Sequence, residues 1–249
     1  MAENKFPSEM IDLPSNGKCY PEDSPLFSGK IEIKYMTAKE EDILTSANLI
    51  KKGLVINKLL DSLIVNNDIK QEDLVLGDKN AVMVAARILA YGPEYTAEIT
   101  NPNTGNKINY QFNLADCPFK TLPDNVKGNE FEITLPVSKS KVKFKLLTAK
   151  EEFQIEEELK AIGKTGIEVI PELTTRMRHA IISVDGKTEK SVINSFTENM
   201  LARDSMFLRE EIQRVSPDIQ LTQKVDIEGD TVEVAIPMTV NFFWPNSGI

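Results

Sequence analysis

Residues 30–43 read KIEIKYMTAKEEDI, and residues 141–154 read KVKFKLLTAKEEFQ. The pentapeptide TAKEE recurs intact, 111 positions later. Each copy follows a stretch in which apolar residues alternate with charged ones: Ile31, Ile33 and Tyr35 in the first, Val142, Phe144 and Leu146 in the second. Period-two alternation predicts a half-buried strand. Thr37 and Thr148 then stand where a helix cap is expected, with Glu40 and Glu151 three residues on. That spacing is a capping box, in which the hydroxyl accepts the N3 amide and the carboxylate reaches back to the N-cap amide. The same strand-to-helix junction is therefore written twice.

Outward from the junctions the correspondence continues. Pro93 pairs with Pro217 and Gly105 with Gly229, both 124 positions apart. In each copy a helical run ends at Gly92-Pro93 or Ser216-Pro217, because proline blocks helix continuation. Two alternating stretches follow, joined by Asn103-Thr104-Gly105 or Glu228-Gly229-Asp230, which predicts a β-hairpin in both. The growth of the offset from 111 to 124 places about thirteen extra residues in the middle of the second copy, around Ser183-Val184-Asp185-Gly186 and the helix after it. Ile11-Asp12-Leu13-Pro14 is a weaker echo of Ile133-Thr134-Leu135-Pro136. Turn residues cluster at 115–130 and mark the join. The expected fold is α+β, with two similar units arising by internal duplication, each running strand, capped helix, helices, hairpin. The first spans 1–120 and carries an extended N-terminal arm; the second spans 130–249 and carries an aromatic C-terminal tail.

Composition narrows the function classes. The chain has 249 residues, 41% hydrophobic and 27% charged, enough apolar surface for a sizeable core. Its net charge of −9 gives it no overall attraction for nucleic acid or anionic membranes, so neither is expected as a partner. No apolar run approaches the length that spans a bilayer, and MAENKFPSEM does not read as a signal peptide. Cys19 and Cys117 are too few for a disulfide framework and are expected as free thiols of a reducing, cytosol-like compartment.

Catalytic signals are sparse. His179 is the one histidine, within a helical stretch, and lacks the Cys or His companions of a zinc site and the nucleophile of a triad. Glu151-Glu152 and Glu156-Glu157-Glu158 offer paired carboxylates, but Phe153, Ile155 and Leu159 fall among them at helical spacing, as in an amphipathic helix with a solvated face. No P-loop or dinucleotide glycine motif is present. Thr100-Asn101-Pro102-Asn103-Thr104-Gly105 has the rhythm of a zinc knuckle without its thiolates. No enzyme, cofactor, metal or small-molecule substrate is therefore expected. Asn241-Phe242-Phe243-Trp244-Pro245 has two readings: a segment whose rings complete the core, or a docking segment whose aromatics anchor a partner. The arm from Phe6-Pro7 to Tyr20-Pro21 has the same two readings. Candidate partner-binding residues are Phe6, Tyr20, Phe242, Phe243 and Trp244; Thr37, Glu40, Thr148 and Glu151 are structural caps.

Leu13-Pro14-Ser15 with Gly17 and Tyr20, then Met36-Thr37-Ala38-Lys39-Glu40-Glu41-Asp42-Ile43-Leu44-Thr45, then Asp78 with Arg87-Ile88-Leu89-Ala90-Tyr91-Gly92, and the closing Phe242-Phe243-Trp244-Pro245 carry a resemblance. In combination they resemble the baseplate hub assembly proteins of T-even-type contractile-tailed bacteriophages, over nearly the whole chain. Relatives often carry cysteine pairs at the hairpins; the positions around Asn101–Gly105 and Val225–Gly229 have none. The resemblance implies a late-expressed, non-catalytic tail protein. It would act in the host cytoplasm during construction of the baseplate hub, as a virion subunit or as an assembly chaperone, with other baseplate or tail proteins as partners. A generic two-domain adaptor is the alternative.

Overall fold

Alternating apolar residues build the first pair of strands. In the computed structural model, which describes residues 7–101, 104–227, 229–238 and 240–243, β1 (Ser8–Asp12) pairs antiparallel with β2 (Lys30–Lys34), Ile11 opposite Ile31. Ile31 and Ile33 lie on the buried face. The intervening loop is pinned where Gly17 adopts φ +76°; a Cβ there would stand 2.1 Å from the Phe27 carbonyl oxygen, so only glycine fits. Beyond Thr37 come α1 (Ala38–Thr45), α2 (Ala47–Lys52) and α3 (Val55–Leu63). α3 delivers Ile64 to a single bridge with Ile33 of β2. α4 (Leu76–Tyr91) follows, then the hairpin of β3 (Glu94–Thr100) and β4 (Lys107–Asn113). β3 alternates as a strand packed on one face does, with Tyr95, Ala97 and Ile99 buried and Glu94, Thr96, Glu98 and Thr100 exposed.

The second half also runs from a strand pair through helices to a hairpin, with one further strand among its helices. β5 (Phe131–Thr134) pairs with β6 (Lys141–Phe144), and α5 (Ala149–Gly163) follows Thr148. α6 (Glu172–Ala180) delivers β7 (Ile181–Val184) to the free edge of β6, making a three-stranded sheet. α7 (Lys190–Glu198) and α8 (Ala202–Val215) lead to the hairpin of β8 (Thr222–Ile227) and β9 (Asp230–Ala235). Each hairpin is followed by a short 3-10 turn, Leu114–Asp116 in the first half and Val240–Phe243 in the second. The fold is α+β, with small antiparallel sheets set among helices. The stretch around Ser183–Gly186, where extra residues were expected, holds β7 and the turn that leads to α7.

The halves share one hydrophobic cluster, to which Leu59, Leu63, Phe112, Phe144, Leu208 and Ile227 all belong. Three seams join them. Val75 bridges Thr148, and the Ala149 amide donates to the Leu74 carbonyl at 2.9 Å. Phe119 bridges Ile219, with Lys120 N to Asp218 O and Gln220 N to Pro118 O both at 2.8 Å. At Gly77 the α4 backbone lies so near the Pro217 turn that a Cβ would stand 1.8 Å from the Pro217 carbonyl oxygen. Among the described residues, no helix is long and apolar enough to cross a membrane.

Candidate functional site

Both Thr–Glu junctions close on a carboxylate, and both add a lysine, Lys34 at the end of β2 and Lys145 just past β6. Glu40 accepts the Thr37 amide at 2.9 Å, the Thr37 hydroxyl at 2.6 Å, Lys34 Nζ at 2.9 Å and the Ser62 hydroxyl at 2.7 Å. Its side chain is fully buried. Burial alone would raise its pKa, but the bonds from Thr37, Lys34 and Ser62 outweigh it and hold the carboxyl at about 2. Glu151 accepts the Thr148 amide at 2.9 Å and the Thr148 hydroxyl at 3.2 Å, and pairs with Lys145. Thr148 Oγ1 in turn accepts the Glu151 amide at 3.5 Å, whereas the Glu40 amide bonds the Thr37 carbonyl. With their lone pairs occupied, these carboxylates brace a turn and have little capacity left to relay protons.

A second paired device was only half visible in the sequence. Each half places an aspartate in the first turn of the helix before its hairpin, Asp78 in α4 and Asp204 in α8. Each carboxylate grips the loop that follows Leu-Pro after the half's first strand. Asp78 accepts the Ser15 amide at 2.8 Å and the Tyr20 hydroxyl at 2.7 Å, and Tyr20 Oη accepts the Val75 amide at 3.1 Å. Asp204 accepts the amides of Val137 and Ser138 at 2.8 and 2.9 Å. Their electrostatics differ. Burial dominates at Asp78 and raises its carboxyl above the ordinary range, and burial beside Asp78 also raises the Tyr20 phenol. At Asp204 burial opposes ionisation too, but the two backbone bonds win and lower it. Asp78 stands among the residues that carry the family resemblance; Asp204 does not, and the recurring Leu-Pro was its only signal.

The acidic run of α5 is taken up by α6. Arg176 forks onto Glu152 with bonds of 2.6 and 2.7 Å, Arg178 bonds Glu158, and His179 Nε2 lies 3.0 Å from Glu158 Oε2. His179 thus joins a ladder of polar contacts between two helices. The thiols are both buried and free. Burial, then the nearby Asp78 charge, pushes Cys19 up to about 12, and burial raises Cys117 as well, so neither is a ready nucleophile. Among the described residues, no group of three or more His, Cys, Asp or Glu is placed to hold a metal ion.

The residues expected to anchor a partner are differently disposed. Tyr20 is buried at the Asp78 hub. Phe242 and Phe243 are 1% and 2% exposed, covered by the chain itself. Phe242 meets Tyr95 edge-on at 5.1 Å between ring centres, and Tyr95 Oη donates to the Pro237 carbonyl at 2.8 Å, so the tail of the second half packs on the hairpin of the first. At these three positions the rings belong to the buried core of this chain. Phe6 and Trp244 lie outside the described residues.

A family model described as T4 bacteriophage base plate protein matches residues 6–244. That span includes both Thr–Glu junctions, both aspartate grips and both hairpins. No curated protein and no solved structure matches the chain.

Proposed function

Because the chain belongs to the family of T4 bacteriophage base plate proteins, we propose that it works in assembly of the baseplate hub by binding other tail proteins, without catalysing a reaction. The family match over almost the whole chain carries this reading. The polar groups described above support it: Glu40, Asp78, Asp204 and Glu158 are all engaged in holding turns or joining helices. We read 1–120 and 130–249 as two repeats of one unit that share a core. The place of action is the host cytoplasm while tails are built, and the tail baseplate if the protein is retained.

Deletion of the gene tests the reading. Infected cells should then accumulate heads and few complete baseplates by electron microscopy, and expression of the chain in trans should restore tails. Normal baseplates without the protein would refute it. Mass spectrometry of purified virions separates the two modes of action: a stoichiometric amount marks a hub subunit, and absence marks an assembly chaperone.

A further inference from the structure

Two helix ends that are remote in sequence meet on the surface of this acidic chain. α2 ends at Lys51 and Lys52; α5 ends through Lys160, with Lys164 just past it. They approach closely enough that a Cβ on Gly53 would lie 3.7 Å from Lys160 Nζ. Between them runs an open groove of about 580 Å³ lined by these four lysines, with Leu54 and Phe153 as apolar lining. Glu157 is the one carboxylate among the lining residues, and it pairs with Lys160 at 3.0 Å. Among the described residues, Lys51, Lys52 and Lys164 have no ion-pair partner. A lysine at a helix C-terminus offsets the helix dipole. That accounts for a cation at each end, but not for four ammonium groups around one groove.

An exposed apolar loop begins beside the groove, just past Lys164. Past α5 the chain exposes Ile167, Val169, Ile170 and Leu173, with Val169 75% accessible. Ile170 Cδ1 lies 3.5 Å from where a Cβ on Gly163 would stand, so this loop folds back against the same helix end. Single exposed aliphatics are ordinary, but four large ones exposed within seven residues are a concentration of the kind that marks an interface.

We propose that the lysine groove and the aliphatic loop beside it form a docking surface for a protein segment that carries both carboxylates and aliphatic side chains, contributed by another baseplate protein. The proposal rests on the baseplate reading and names the chemistry of the partner. Charge complementarity selects an acidic occupant. In a second copy much of the acidic run of α5 is engaged within its own chain, Glu151 with Lys145, Glu152 with Arg176, Glu157 with Lys160 and Glu158 with Arg178, which favours a different protein as the occupant. A nucleic acid or an anionic membrane is disfavoured by the net charge of −9, which repels an extended polyanion while a short segment senses the local lysines.

The test uses the tagged full chain purified with its bound tail proteins from phage-infected cells. The complex is treated with a water-soluble carbodiimide, which joins lysines to carboxylates in direct contact, and the cross-linked peptides are sequenced. Lys51, Lys52 or Lys164 should be joined to Asp or Glu of a second baseplate protein. The triple variant Lys51→Glu, Lys52→Glu, Lys164→Glu should melt as the wild type does and recover roughly tenfold less of that protein. Baseplate proteins that co-purify without such cross-links, or that the variant retains in full, would overturn the docking surface and leave the baseplate reading standing. Cross-links only between copies of this chain would overturn it too, as would variant-sensitive binding of a DNA duplex or of phosphatidylglycerol vesicles. If no baseplate protein co-purifies with the wild type, the baseplate reading itself falls, and the proposal with it.

Discussion

Residues 38–52 and 149–163 begin at the same capped junction, yet the first stretch breaks into α1 and α2 while the second runs unbroken as α5. The break falls at Thr45-Ser46, where the other half has Glu156-Glu157. Thr45 Oγ1 turns back to the Glu41 carbonyl at 3.0 Å, and Ser46 takes an extended conformation. Short hydroxyl side chains compete with the backbone for hydrogen bonds; glutamate does not. Downstream the two stretches differ as well: Ile64 makes a single bridge to Ile33 of β2, whereas β7 pairs with β6 as a strand. The shared pentapeptide sets where each helix starts, and local composition sets how far it runs. The aspartate grips differ in the same spirit: Asp78 is held in a buried hub with Tyr20, whereas Asp204 holds two amides of the exposed residues Val137 and Ser138.

Four tests probe this comparison. The largest effect is expected where the halves are joined. Phe242→Ala should cost about 4 kcal/mol in urea unfolding, since it empties a fully buried aromatic site against Tyr95. A loss below about 1 kcal/mol would mean that the tail is not part of the core.

Acid comes next. A carboxyl held at about 2 in the folded chain, against 4.5 when free, contributes stability that is complete above pH 4.5 and lost as pH falls toward 2. Glu40 should therefore account for about 3 kcal/mol of acid sensitivity in that window. Glu40→Gln should flatten the stability–pH curve there. Asp78 works with the opposite sign, because its raised carboxyl is relieved when protonated. An unchanged curve in the Glu40 variant would show that Lys34, Thr37 and Ser62 do not hold the carboxylate ionised.

The grips should differ as their surroundings do. Asp78→Ala strands the buried Tyr20 hydroxyl and Ser15 amide and should cost about 2 kcal/mol; water can reach the amides freed by Asp204→Ala, whose cost should be nearer 1 kcal/mol. Equal losses in denaturant titrations would mean that burial does not distinguish the halves. Smallest is Thr45→Glu with Ser46→Glu, which gives the first half the second half's residues. Stability should change by less than about 0.5 kcal/mol while helical circular dichroism rises. No gain in helix would show that packing, not composition, breaks α1 from α2.

Much of this fold was legible because it is local. A capping box spans four residues, a strand declares itself by alternation, and Pro93, Gly105, Pro217 and Gly229 mark helix ends and hairpins within their own neighbourhoods. What stayed hidden is non-local. Nothing near Gly77 announces the Pro217 carbonyl, and nothing near Lys51 announces Lys160. The Asp78 hub is built from Ser15, Tyr20 and Val75, which only tertiary packing brings together. The aromatic tail was ambiguous because a Phe-rich segment reads alike whether it packs on its own chain or on another. Burial of Phe242 against Tyr95 is a fact of the folded chain alone.

In the function we propose, this chain holds other baseplate proteins and turns over no substrate. The most direct measurement is quantitative mass spectrometry of what co-purifies with the tagged full chain from phage-infected cells. Baseplate proteins recovered in a fixed ratio to the chain would agree with the account; recovery of host metabolic enzymes alone would contradict it.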